Sequence, residues 1–186
     1  MTAQTRPINS PEAFWAFPAA QQTRLASDFA VRVVGQQPEA VLADFAQDQF
    51  LGPLSRAHLA ARVAHVLHGL SEETAWMAAL RRLRNRLQLR WIWQDANGLT
   101  DVVQLTRELS DFADVCIEAA VAFARGPLVA RHGEPIGENG QVQELIVMAM
   151  GKHGAQELNL SSDIDLIVFF QSRGLCVAEP RTLLPF

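Results

Sequence analysis

Two aspartates stand one residue apart in Ser161-Ser162-Asp163-Ile164-Asp165-Leu166. On an extended strand side chains alternate, so Asp163 and Asp165 project to one face while Ile164 and Leu166 turn toward a core. Two carboxylates held that close repel each other unless a cation lies between them. Their hard oxygens suit Mg²⁺, which commonly takes one or two carboxylates together with substrate phosphates. Upstream, Gly151 ends an apolar run, where a glycine lets backbone N–H groups approach phosphate oxygens, and Lys152 adds a positive point charge. Glycine turn, serines and paired aspartates together describe a nucleotide-and-metal site. Gly151 and Lys152 would face the phosphates, and Asp163 and Asp165 the metal.

The elements that must position these residues change character along the chain. Glu144 to Gly151 and Ile164 to Phe170 are short apolar runs bounded by turn residues, which predicts two buried strands. Before them, RHGEPIGENGQ (residues 131–141) has three glycines, a proline and no periodicity, and reads as a linker or hairpin loop. The first two thirds are helical in pattern. Ser10 caps a first helix carrying Phe14, Phe17, Leu25, Phe29 and Val33, which Pro18 must kink or restart. Pro38 opens a second, ended by Gly52-Pro53, and Ser55 caps a third. A fourth runs from Ser71-Glu72-Glu73 to about Trp93, with Asn97-Gly98 after it. A fifth begins near Thr100 and extends until Gly126-Pro127 interrupts or kinks it. The expectation is an α+β chain: a helical domain over 1–132, the start of an α/β domain over 133–170, and an atypical tail over 171–186.

The spacing of Met150-Gly151 from Asp163-Ile164-Asp165-Leu166 resembles the signature of the nucleotidyltransferase superfamily. The longer string GKHGAQELNLSSDIDL (151–166) is similar to the bifunctional glutamine synthetase adenylyltransferase/adenylyl-removing family. RRLRNRLQLRWIWQD (81–95) and LTRELSDFADVCIEAA (105–120) resemble the helical segment ahead of that family's first catalytic domain. The resemblance implies reversible adenylylation of glutamine synthetase, with Asn159 and Ile164 matching the adenylyl-removing half, which releases AMP by phosphorolysis. It implies Asp163 and Asp165 as metal ligands and catalytic residues, Gly151 with Ser162 as part of the nucleotide cradle, and Lys152 as a phosphate contact. It further implies Mg²⁺, with ATP, ADP and inorganic phosphate as substrates, and glutamine synthetase and a nitrogen regulatory signalling protein as partners. Two departures stand out. His153 and Ala155 occupy positions where the family usually shows leucine and glycine. After Phe170, QSRGLCVAEPRTLLPF matches none of the stretch expected to bring a third carboxylate, so the chain reads as truncated, catalytically incomplete by itself, and weakly ordered over 171–186. The alternatives are a non-catalytic helical module that contacts glutamine synthetase or a regulatory protein, and a different nucleotidyltransferase acting on another substrate.

Composition and other motifs narrow the field. The 186 residues are 49% hydrophobic and 19% charged with a formal charge of −4, enough apolar material for a core and no basic field for nucleic acid. Cys116 and Cys176 form no CxxC, and the five histidines form no HExxH, so structural zinc is not expected. No apolar run approaches the ~20 residues of a membrane span, and the expectation is a soluble cytoplasmic protein. Ile146 in place of the first glycine, and His153 after the lysine, rule out a phosphate-binding P-loop. His65 and His68 read as ordinary helix residues, Arg81, Arg82, Arg84, Arg86 and Arg90 as a solvated basic face, and Trp76, Trp91 and Trp93 as core.

Overall fold

The computed structural model describes residues 10–47, 49–171, 173–178 and 182–185. They divide into two compact units, Met1–Glu108 and Leu109–Phe186, and the fold is α+β, mostly helical, as the sequence pattern implies.

The first unit begins with four short helices, α1 (Pro11–Trp15), α2 (Pro18–Ala26), α3 (Asp28–Gln36) and α4 (Pro38–Ala46). All four open on side chains or rings suited to a helix start. Ser10 Oγ accepts from the Ala13 N–H, Ser27 Oγ from that of Ala30, and Pro18 and Pro38 occupy first-turn positions where no N–H is needed. Pro18 therefore restarts the helix rather than kinking it. Leu25 does not join the expected stripe and is 90% exposed. The aromatic core lies where α1, α4 and the longer α6 (Glu73–Ala96) meet. Phe14, Phe45, Phe50 and Trp93 pack with ring centroids 5.3 to 6.3 Å apart, mostly edge to face, as their quadrupoles prefer. Trp76 and Trp91 are buried as well, so all three tryptophans of the helix are core.

Arg90 departs from the solvated face predicted for it. Arg81, Arg82 and Arg84 are exposed, but Arg90 is buried beside Glu108 at 2.8 Å. Its guanidinium donates to the carbonyls of Gln49 and Gly52, while Glu108 accepts from Trp91 Nε1 and from the Leu54 N–H. The pair thereby satisfies the backbone of the loop leading to α5 (Arg56–Leu67), which Ser55 caps. Burial pushes the Arg90 guanidinium below its ordinary pKa and Glu108 pulls it back. At the head of α6 the capping group is Glu72, not Ser71. Its carboxylate accepts from the N–H groups of Thr74 and Ala75.

Helix α7 (Val102–His132) opens on Asp101, which accepts from the Gln104 N–H, and runs unbroken through Pro127. The predicted interruption fails because residues 124–128 are exposed, and water can replace the hydrogen bond that proline removes. The second unit holds the rest of α7, β1 (Glu134–Gly137), β2 (Ile146–Ala149), the single turn α8 (Gly151–Gly154), β3 (Leu166–Phe169), β4 (Gly174–Ala178) and β5 (Thr182–Pro185). All pairings are antiparallel: β2 with β3, with Ala149 opposite Leu166, and a separate sheet in the order β1-β4-β5.

Three expectations change here. Residues 134–137 are a strand, because β4 supplies their ladder partner, while residues 138–141 form the hairpin turn expected there, with the Gly137 N–H donating to the Gln141 carbonyl and Ile136 bridging Val142. The stretch 174–178 and 182–185 is paired rather than weakly ordered, with Pro185 at the end of the edge strand β5, where proline is tolerated; Pro180 lies outside the described residues. The two apolar runs form strands, but not buried ones: all four residues of β3 are exposed, as is Met148 of β2. A two-stranded ribbon with no covering layer among the described residues leaves both faces open.

Candidate nucleotide and metal site

The ribbon β2-β3 carries the site at its end. Pairing continues one step past Ala149 and Leu166, because the Met150 N–H donates to the Asp165 carbonyl at 2.9 Å. The paired aspartates thus lie in the extended approach to β3 rather than inside it, and both are exposed. Ile164 and Leu166, expected to point into a core, are 42% and 38% exposed.

Immediately after Met150 the chain turns through Gly151 at φ +55°, a left-handed conformation that a side chain would strain. A Cβ there would sit 4.0 Å from Asp165 Oδ2, so the carboxylate lies over bare glycine backbone. Gly154 is required for a different reason: a Cβ would fall 2.5 Å from the Ala149 carbonyl oxygen. Lys152 between them is exposed and its ammonium has no partner among the described residues, while its carbonyl accepts from Glu157. Ser162 is committed to the loop. Its hydroxyl donates to Asn159 Oδ1 at 2.9 Å, and the same oxygen accepts from the Ser161 N–H at 3.1 Å. Asn159 is therefore the hub of the serine turn that precedes the aspartates. The structure brings Gly151 and Asp165 together directly; it sets Lys152 on the same turn and joins Ser162 to the loop through Asn159.

What anchors this loop escaped sequence reasoning. His153 is buried, with Nε2 2.8 Å from Asp114 Oδ1 on α7, and Gln156, at φ +61°, reaches the other Asp114 oxygen. One turn earlier on α7, Ser110 Oγ accepts from the buried Leu158 N–H. Ser110 and Asp114 are four residues apart, on one helix face. The available signal was a pair of polar residues interleaved with the apolar stripe Leu109, Phe112 and Val115.

The donor chemistry suits Mg²⁺. Among the described residues no three His, Cys, Asp or Glu side chains gather around a metal position, which leaves two exposed carboxylates. That is a poor cage for Zn²⁺ or Ca²⁺, but it is a normal protein share for Mg²⁺, whose other ligands are waters and phosphate oxygens.

Comparison with known proteins adds a family. Residues 21–182 match the family described as glutamate-ammonia ligase adenylyltransferase. The chain is 56% identical over 154 residues to a bifunctional glutamine synthetase adenylyltransferase/adenylyl-removing enzyme from Acinetobacter baylyi, covering 83% of this chain and 17% of that protein. It is 42% identical over 149 residues to one from Thioalkalivibrio sulfidiphilus, covering 80% and 15%, and 36% identical over 163 residues to one from Pseudomonas putida, covering 87% and 17%. The chain spans about a sixth of the length of these curated relatives.

Proposed function

Because this chain belongs to the glutamate-ammonia ligase adenylyltransferase family, we propose that its second unit carries the nucleotide- and metal-binding end of an adenylyl-removing domain. The substrate is adenylylated glutamine synthetase, and AMP leaves by phosphorolysis. The observation that carries this reading is the Gly151 turn, where left-handed backbone without a side chain lies against the Asp165 carboxylate. Such a turn gives a phosphate close access to main-chain N–H groups beside a metal-ligating acid.

Asp163 and Asp165 would hold Mg²⁺, which when bound neutralises charge on phosphate oxygens and orients them. The remaining work falls to this chain's own residues. Lys152, whose ammonium has no partner among the described residues, is available to a phosphate, and the Asn159–Ser161–Ser162 turn fixes the approach to the aspartates. His153 and Ser110 lock that loop onto α7. Phosphoryl-type transfer depends chiefly on such positioning. Two carboxylates supply only part of a two-metal shell, which supports the further reading that this chain alone does not turn over. A cytoplasmic setting, ATP or ADP as ligand and a nitrogen regulatory protein as a second partner belong to the same proposal.

The test uses Mn²⁺ as a paramagnetic probe of the intact chain, with ADP present. Selective broadening of the Gly151 and Ser162 amide signals, lost in both Asp163→Asn and Asp165→Asn, is expected. Broadening unchanged by either substitution would remove the aspartates from the metal site and favour a non-catalytic interaction module. Phosphate-dependent AMP release by the Acinetobacter baylyi relative, abolished by the matching substitutions, is the expected result for the adenylyl-removing assignment.

A further inference from the structure

The first unit contains a cleft of about 530 Å³ that the candidate site does not use. It is lined by Gln37, Pro38 and Glu39 at the start of α4, by His65 of α5, and by Arg82 and Arg86 of α6. The two arginines are four residues apart and share a helix face.

Charge is unbalanced along this wall. Asp44 lies 3.1 Å from Arg62 Nη2 and 3.2 Å from Arg86 Nε, so one carboxylate serves two guanidinium groups, only 17% and 19% exposed. Burial pushes Arg62 below its ordinary pKa, Asp44 pulls it up, and Arg86 pushes it down again. Arg86 Nε is buried without a well-directed hydrogen bond even to Asp44, and its terminal amines have no partner among the described residues. Arg82 is exposed and makes no hydrogen bond or ion pair among the described residues. Across the cleft, Gln37 gives α4 no side-chain cap, which leaves the N–H groups of its first turn open. Glu39 is the one acid among the lining residues, and its single exposed charge does not offset two arginines.

We propose that this cleft binds a phosphate-bearing small molecule, with the phosphate held by the Arg82 and Arg86 forks. The wall carries a surplus of positive charge, and paired guanidinium forks suit a tetrahedral oxyanion. The proposal is independent of the aspartate site, which lies in the other unit.

Isothermal titration of the whole chain in EDTA, at constant ionic strength, provides the test, with inorganic phosphate, ADP and adenosine as separate probes. Phosphate and ADP should bind and adenosine should not; ADP binding tighter than phosphate identifies a nucleotide, and equal affinities identify free phosphate. Arg82→Gln should weaken binding about tenfold without changing the melting temperature, because Arg82 supports nothing else. Arg86→Lys keeps the charge opposite Asp44 but loses the fork, and should weaken binding as well. Absence of heat at millimolar phosphate and ADP, adenosine binding as well as ADP, affinities that both arginine variants leave within about twofold, or loss confined to Asp163→Asn would each overturn the proposal.

Discussion

His153 Nε2 meets Asp114 Oδ1 at 2.8 Å across 39 positions of sequence, and the other ring nitrogen, Nδ1, is buried with no partner among the described residues. A carboxylate accepts, so Nε2 donates to Asp114, and Nδ1 is left without a hydrogen bond. Removing one partner of such a contact costs more than replacing the buried polar group with an apolar one. Asp114→Ala should therefore destabilise the second unit by about 1–3 kcal/mol, stranding the Nε2–H. His153→Leu should be within about 1 kcal/mol of the parent, because Asp114 is one-third exposed and water can solvate it. Chemical denaturation of both variants and of the double variant checks this; a His153→Leu loss larger than that of Asp114→Ala would contradict it.

In the first unit the corresponding post is Glu108, whose side chain is 4% exposed and serves Arg90, Trp91, Gln104 and the Leu54 N–H. Glu108→Ala would leave a buried guanidinium and an indole N–H uncompensated. A cost of about 3–5 kcal/mol follows for breaking a buried pair from one side. Replacing Arg90 and Glu108 together by Met and Leu should recover part of that loss, though not the contacts to the Gln49 and Gly52 carbonyls. Thermal unfolding of the two variants measures it, and a loss below about 1 kcal/mol in Glu108→Ala would mean that water reaches the pair.

These two posts also mark what the sequence could and could not disclose. Helix starts at Ser10, Pro38 and Ser55 were legible because capping is local, decided within four residues. The glycine turn and the Asp163-x-Asp165 spacing were legible for the same reason. Arg90 and His153 were not, because burial of a polar residue depends on a partner 18 or 39 positions away that no periodicity announces. The strand at 134–137 was missed because its ladder partner lies beyond residue 173, and a glycine-rich stretch reads as loop until that partner is known. Burial of β2 and β3 was overestimated because an apolar run shows what a strand would bury, not whether a layer covers it.

Stability of the α6 start should depend on pH through Glu72. Two backbone N–H groups hold its carboxylate below the usual glutamate pKa. A lowered folded-state pKa means the cap is fully effective above the unfolded value, near 4.5, and is lost as pH falls through the lower folded value. Hydrogen exchange of the Thr74 and Ala75 amides should therefore quicken in that acidic window, and Glu72→Gln should remove the pH dependence while leaving weaker protection. Protection that stays flat from neutral pH to about pH 3 would show that the carboxylate does not cap the helix.

Gly151 and Gly154 both resist a side chain, but for different physical reasons, and a pair of substitutions separates them. At Gly151 there is room, since the nearest atom to a Cβ is Asp165 Oδ2 at 4.0 Å, but φ is +55°. Gly151→Ala should cost about 1–2 kcal/mol of backbone strain, and Gly151→Asn should recover part of it, because asparagine visits the left-handed region more readily. At Gly154 the obstacle is the Ala149 carbonyl, 2.5 Å from a Cβ. Neither alanine nor asparagine can avoid that overlap, so both should shift the end of β2 and cost about 1–3 kcal/mol. Hydrogen exchange at Met150, whose N–H donates to the Asp165 carbonyl, reads both effects locally. Fast exchange in Gly154→Ala and Gly154→Asn alike, with Gly151→Asn slower than Gly151→Ala, is the expected order. Rescue of position 154 by asparagine, or equal behaviour of the two Gly151 variants, would mean that the left-handed turn does not set the geometry beside Asp165.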